Sequence, residues 1–333
     1  MSCSQPLVDA FQRRISYLRL SVTDRCDLRC TYCMPEAMQF LPKKDVLSLE
    51  ELHKLSLAMI DRGITKIRLT GGEPLVRRDV IELIRALGRK IGDGLDELTL
   101  TTNGTRLEEF AEDLFAAGIR RINVSLDTMD SALFEQLSRR DRLVQVLRGI
   151  AAAQDAGLKV KLNTVALKGL NEKEIPFLVE WAHARGADMT LIEIMPLGEI
   201  EGERSDHYLP LPAVRDRLEQ RWTLTEIADS TGGPARYVRV EETGGRLGFI
   251  TPLTNNFCAS CNRIRITATG QLYACLGGAE MVDLRAALRS DTPDARLAEA
   301  LDEAMRIKPE KHHFQIAEGS APAQPRHMSV TGG

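Results

Sequence analysis

The sequence predicts an α/β fold: an incomplete (β/α)6 barrel of the TIM type, followed by a C-terminal α+β extension placed to close its open side. Three observations carry this reading. Strand-like runs alternate with helix-like segments as far as residue 210, those runs are polar on one parity and apolar on the other, and the alternation stops beyond residue 210.

Short β-branched runs lie at 17–22, 64–70, 97–102, 119–126, 158–165 and 188–195. The first helix opens on a capping box, Ser48 with Glu51 three residues on. It places Leu52, Leu55, Met59 and Ile60 on one stripe and stops at Gly63. Later helices span about 77–91, 105–117, 130–138, 142–156 and 171–185, most closing near Gly92, Gly118, Gly157 or Gly186. Six strands with five linking helices fit either a partial parallel barrel or a doubly wound sheet.

Strand parity separates the two. A doubly wound sheet is covered on both faces, so its strands read as almost continuously apolar. Here alternate positions are polar: Arg19 and Ser21, Arg68 and Thr70, Thr99 and Thr101, Asn123 and Ser125, Lys161 and Asn163. The other parity carries Leu18, Leu20, Ile67, Leu69, Ile122 and Val124. One face meets helices and the other a polar lumen. Frayed strand ends facing water would also show polar residues. Cations on three separate strands, Arg19, Arg68 and Lys161, favour the lumen and ask for a multiply charged anion such as a triphosphate.

Beyond residue 210 follow a helix at 211–221, β segments at 236–240, 247–251, 263–268 and 271–275, and a helical stretch near 283–306. The chain therefore divides into a barrel over 1–210, an extension over 211–317 and a flexible tail over 318–333 ending in Gly332-Gly333. Such tails commonly end in nothing functional, yet two residues without side chains can also thread a narrow channel.

A balance of 44 Lys+Arg against 47 Asp+Glu, net −3, leaves no global footprint for nucleic acid or anionic lipid. No signal-peptide core and no long apolar run occur, so a cytoplasmic protein without membrane contact is expected. No Gly-x4-Gly-Lys-Ser/Thr phosphate loop is present. The six histidines have no spacing that joins them to the cysteines, and no role is assigned to them.

Six of the seven cysteines form two triplets, with Cys3 left over as an ordinary thiol. Close spacing in a reducing compartment points to metal ligands or catalytic thiols rather than disulfides. Cys26, Cys30 and Cys33 stand at C-x3-C-x2-C just after the first strand, the end where barrel enzymes place their sites. Cys258, Cys261 and Cys275 form C-x2-C-x13-C, with Arg263 and Arg265 alternating between the ligands. Each triplet is one thiolate short of the usual four ligands. Taken alone, the second unit reads most readily as a zinc-stabilised hairpin, and Thr70-Gly71-Gly72-Glu73-Pro74 as a plain strand-to-helix turn.

The first triplet, with Tyr32 before its last cysteine, resembles the motif of the radical S-adenosylmethionine (SAM) superfamily. That resemblance implies a [4Fe–4S] cluster on Cys26, Cys30 and Cys33, and SAM held at its open iron and cleaved to a 5′-deoxyadenosyl radical. Tyr32, Gly72, Ser125 and Met195 match SAM-contacting positions. The C-N-R-x-R run, T-T-N-G at 101–104, I-N-V-S-L-D at 122–127, K-V-K-L-N-T-V at 159–165 and the final Gly-Gly together resemble the superfamily's molybdenum cofactor branch over nearly the whole chain.

That likeness implies a second [4Fe–4S] cluster on Cys258, Cys261 and Cys275, facing GTP, with Arg19, Arg68, Thr101, Lys161, Arg263 and Arg265 holding the nucleotide. It implies cyclisation of GTP between C3′ and C8, with the Gly332-Gly333 tail reaching the site. It also implies an electron donor such as flavodoxin or ferredoxin, a downstream cyclic pyranopterin monophosphate synthase, and a monomer or homodimer. One departure stands out. Thr190 occupies a position where the branch carries arginine, which is expected to weaken GTP binding.

Overall fold

The computed structural model describes residues 5–229, 231–319 and 321–332, so Cys3 and Gly333 lie outside the described residues. Six parallel strands, β1 (Tyr17–Ser21), β2 (Lys66–Thr70), β3 (Glu97–Thr102), β4 (Arg121–Ser125), β5 (Lys159–Ala166) and β6 (Asp188–Glu193), lie side by side in chain order. Between them run α1 (Leu49–Asp61), α2 (Val80–Gly88), α3 (Leu107–Ala116), α4 (Ser131–Ser138), α5 (Leu143–Asp155) and α6 (Ile175–His183).

The capping box of α1 forms in both directions, Glu51 N to Ser48 Oγ at 3.1 Å and Ser48 N to the Glu51 carboxylate at 2.8 Å. Helix α2 begins three residues later than its periodicity predicts, because a 3₁₀ turn over Pro74–Val76 and a left-handed Asp79 (φ 58°) delay it. Leu18, Leu20, Ile67, Leu69, Ile122 and Val124 are wholly buried in the helix-facing core, as the parity requires.

The C-terminal part contributes α7 (Arg204–His207), α8 (Leu211–Glu219), β7 (Leu224–Ile227), β8 (Arg236–Val240), β9 (Arg246–Ile250), β10 (Arg263–Ile266), β11 (Gln271–Tyr273), β12 (Met281–Asp283), α9 (Leu284–Leu288), α10 (Pro293–Arg306) and α11 (Met328–Thr331). It meets the barrel at both open edges. β10 pairs parallel with β1 and β9 parallel with β6, giving the order β12-β11-β10-β1-β2-β3-β4-β5-β6-β9-β8-β7, a ladder that does not close into a ring.

The edge strands β7 and β12 escape the sequence pattern because they are short and largely solvent-facing. The single helix expected over 283–306 divides at Thr292-Pro293, since proline starts α10 and could not continue α9. The tail also differs from a flexible end. Gly198 N donates to Gln324 O at 2.8 Å, Gln324 Nε2 donates to Gly277 O at 2.9 Å, and the Arg326 guanidinium lies 4.2 Å from the Tyr273 ring while donating to the carbonyls of Leu276 and Gly278. Among the described residues no helix is long and apolar enough to cross a membrane.

Glu193, fully buried at the end of β6, fastens the barrel to the extension. Its carboxylate accepts from Leu211 N (3.2 Å), Leu253 N (2.9 Å), Thr254 N (3.2 Å) and Thr254 Oγ1 (2.6 Å). Glu193→Ala strands these donors and is expected to cost on the order of 3 kcal/mol in denaturant unfolding, with Glu193→Gln costing less.

Candidate active site

The first cysteine loop leaves the carboxyl end of β1 and is laced to the turn that leaves β2. Gly72 N donates to Thr23 O at 2.9 Å and Glu73 N to Arg25 O at 2.8 Å. A Cβ on Gly71 would lie 2.2 Å from Thr23 O, and one on Gly72 would lie 2.3 Å from Arg25 O. The paired glycines are thus required by the approach of this turn to the backbone entering Cys26, and not by a ligand alone.

Around this junction lies a cavity of about 180 Å³ whose walls include Cys26, Cys30, Cys33, Tyr32, Gly72, Thr101, Ser125 and Met195. The structure therefore gathers all four residues matched to SAM beside the first triplet. Tyr32 donates its hydroxyl to Asp127, which also accepts from Val165 N at 2.8 Å. Burial raises Asp127 to about 6. The tail supplies Met328 and Ser329 to the same wall.

All six described cysteines are free thiols. Burial, with neighbouring anions, pushes Cys26 and Cys30 far above an ordinary thiol and Cys33 up to about 12. Such thiols ionise only beside a strong positive charge, which suits an iron cluster. Asn103 Nδ2 approaches Cys26 Sγ at 3.7 Å.

Deeper in the lumen, strand register sets three guanidiniums side by side: Arg265 pairs with Arg19, and Arg19 with Arg68. Burial lowers Arg19 to about 10 and, with the adjoining cations, carries Arg265 well below its usual value. Arg68 donates to Thr101 Oγ1 at 3.0 Å, and Lys161 Nζ to Tyr237 Oη at 2.9 Å. Burial, then Arg68 and Arg121, draw Lys161 down to about 7. Tyr17 stands among these cations. Burial works against its ionisation, but Arg68, Arg19, Lys66 and Arg263 bring it to about 8.

The second triplet borders the same lumen through β10. Arg263 and Arg265 share a face there, Arg263 Nη2 lies 3.8 Å from Cys261 Sγ, and Arg265 Nη1 donates to Gly332 O at 2.6 Å. Gly332 presses on Thr70 so closely that a Cβ would lie 2.1 Å from its Cγ2. Burial would raise Cys261, but Lys308 and Arg263 outweigh it and hold the thiol near 7. Thr190 is fully buried between Asn163 and Gly248 in register, and its hydroxyl has no hydrogen-bond partner among the described residues.

Several residues escaped the sequence reading. Glu73, fully buried, accepts from Leu75 N (2.9 Å), Thr102 Oγ1 (2.9 Å) and Asn103 N (2.6 Å), and so binds the ends of β2 and β3 together. Burial raises its carboxyl to about 7. An acid directly after two glycines at a strand end was the available signal. Lys66 follows from the parity that exposed Arg68, whereas Lys308 has no sequence signal near either triplet.

Fold and site define an enzyme of the radical SAM class. The family model described as Radical SAM superfamily matches residues 20–182, and the one described as Molybdenum Cofactor Synthesis C matches 187–314. The crystal structure of Streptococcus suis SuiB bound to S-adenosylmethionine shares the fold, with TM-score 0.64 at 17% identity, covering 91% of this chain and 68% of that one. Among curated proteins, GTP 3′,8-cyclase of Erythrobacter litoralis (strain HTCC2594) is 70% identical over 327 residues, 98% of either chain. The protein of that name from Rhizobium etli (strain CIAT 652) is 60% identical over 329 residues, 98% of this chain and 94% of that one. This chain belongs to the GTP 3′,8-cyclase family.

Gly72→Ala forces a methyl against the Arg25 carbonyl and is expected to spread the cysteine loop. Anaerobic reconstitution should then load less iron at the first triplet while the second fills as in wild type, as read by iron content and electron paramagnetic resonance.

Proposed function

We propose that this protein is a lyase that converts GTP to (8S)-3′,8-cyclo-7,8-dihydroguanosine 5′-triphosphate, the first step of molybdenum cofactor biosynthesis. The observation that carries the reading is the ladder Arg265–Arg19–Arg68, cations on adjacent strands, with Arg263 of the same β10 beside Cys261. Like charges on neighbouring strands repel, so a bound polyanion is what stabilises the arrangement.

In this reading Cys26, Cys30 and Cys33 hold one [4Fe–4S] cluster, with SAM against Tyr32, Gly72, Ser125 and Met195, and Cys258, Cys261 and Cys275 hold a second. The bound group supplies a 5′-deoxyadenosyl radical.

The chain's own part is to bind and orient. Arg19, Arg68, Lys161, Arg263 and Arg265, with Thr101, hold GTP, the guanidinium forks suiting phosphate oxygens. Burial of this lumen keeps water from the ribose. Across the reaction the ribose loses its C3′ hydrogen and gains a bond to C8, and the guanine ring takes up one electron and one proton. The tail, anchored by Arg326, presents Gly332 to Arg265 and Thr70. A reduced flavodoxin or ferredoxin supplies electrons in the cytoplasm, and a cyclic pyranopterin monophosphate synthase consumes the product.

Anaerobically reconstituted protein should hold about eight irons per chain, two [4Fe–4S] clusters. With SAM, GTP and a reductant it should release 5′-deoxyadenosine together with the cyclised nucleotide. Zinc at either triplet, or 5′-deoxyadenosine without nucleotide turnover, sinks the reading.

Lys161 adds a pH dependence. Its ammonium is lost from the free site as pH rises through about 7, whereas a triphosphate favours the charged form. GTP affinity should therefore fall from about pH 6 to about pH 8.5, with proton uptake on binding above neutrality, and Lys161→Arg should flatten the profile. Calorimetry in buffers of different ionisation enthalpy reads both.

A further inference from the structure

Lys308 follows α10 and is only 3% exposed. Its Nζ donates to Ala274 O at 2.5 Å and Arg263 O at 3.1 Å, and lies 3.9 Å from Cys261 Sγ. Among the described residues no carboxylate forms an ion pair with it. Asp9, the acid whose field reaches it, is committed to Arg13 at 2.6 Å. The other anions acting on it are the thiolates of Cys261 and Cys275. A buried ammonium needs a counter-charge, and two carbonyl dipoles do not supply one.

We propose that Lys308 is the counter-charge of the second cluster, a positioning residue whose ammonium favours the reduced state and ties β10 to the residue preceding Cys275. The inference rests on the cluster reading above. Reduction adds negative charge to a cluster, and a fixed cation within hydrogen-bonding range of a ligand sulfur stabilises that state and raises the potential. The rival role is a neutral staple that only joins the two carbonyls. Burial and hydrogen bonding alone do not choose between them. A charge-only change does.

The test is a potentiometric titration followed by electron paramagnetic resonance on the full chain with both sites loaded. Lys308→Gln keeps donors for the carbonyls but removes the charge. It should lower the second cluster's midpoint so that the reduced-to-oxidised ratio at fixed poise falls about tenfold, 59 mV for one electron, with the first cluster unmoved as the internal control. Lys308→Arg should stay near wild type. An unchanged midpoint in Lys308→Gln overturns the proposal. If Lys308→Gln cannot retain the cluster while Lys308→Arg can, the requirement for charge is upheld; if neither retains it, the role is shape and the proposal is wrong. Wild-type protein with zinc, or with iron at the first triplet only, refutes the cluster reading itself and is thereby distinguished from failure of the Lys308 role.

Discussion

Positive charge gathered on adjacent buried strands is the constraint on which the rest of this structure depends. Arg265, Arg19 and Arg68 lie in register on β10, β1 and β2, and Lys161 faces the same lumen from β5. A core of this kind works against its own stability until an anion of matching charge is present. The fold tolerates it because the helix-facing parity of the same strands is apolar apart from Thr164, whose hydroxyl donates to Leu126 O, so one face of each strand stabilises what the other costs.

The two thiol sites differ at Cys261: burial raises Cys258 of the second triplet just as it raises the first triplet, but Cys261 is drawn down. At the first, burial and then the neighbouring thiols drive all three cysteines upward, with Glu73 and Asp27 adding to the effect at Cys26 and Asp127 at Cys30. At the second, Arg263 and Lys308 already favour the thiolate of Cys261. The tail links the pair: Arg326 grips the turn after Cys275, Ser329 borders the first cavity, and Gly332 meets Arg265. One segment thereby touches the loops of both thiol sites and the cationic ladder.

Much of this was legible in the sequence because it is local. Period-two parity separates lumen from core residue by residue, which is why Arg19, Arg68 and Lys161 could be read before any contact was known. The cysteine spacings and the Thr70–Pro74 turn are likewise contiguous. What escaped lay in short exposed strands, in the restart of a helix at Pro293, and in groups whose role depends on remote partners. Glu193 shows no motif, yet it joins β6 to residues 211, 253 and 254.

The sequence by itself determined the alternating elements, the polar lumen and the two thiol triplets, since each follows from spacing along a strand or loop. Tertiary structure alone decided that β10 returns beside β1, that the extension takes both edges of the sheet, that the tail is docked, and that Lys308 lies against Cys261. The physical reason is that pairing between distant segments is chosen by the free energy of the whole packed state, through hydrogen bonds and buried charge that no local window of residues contains.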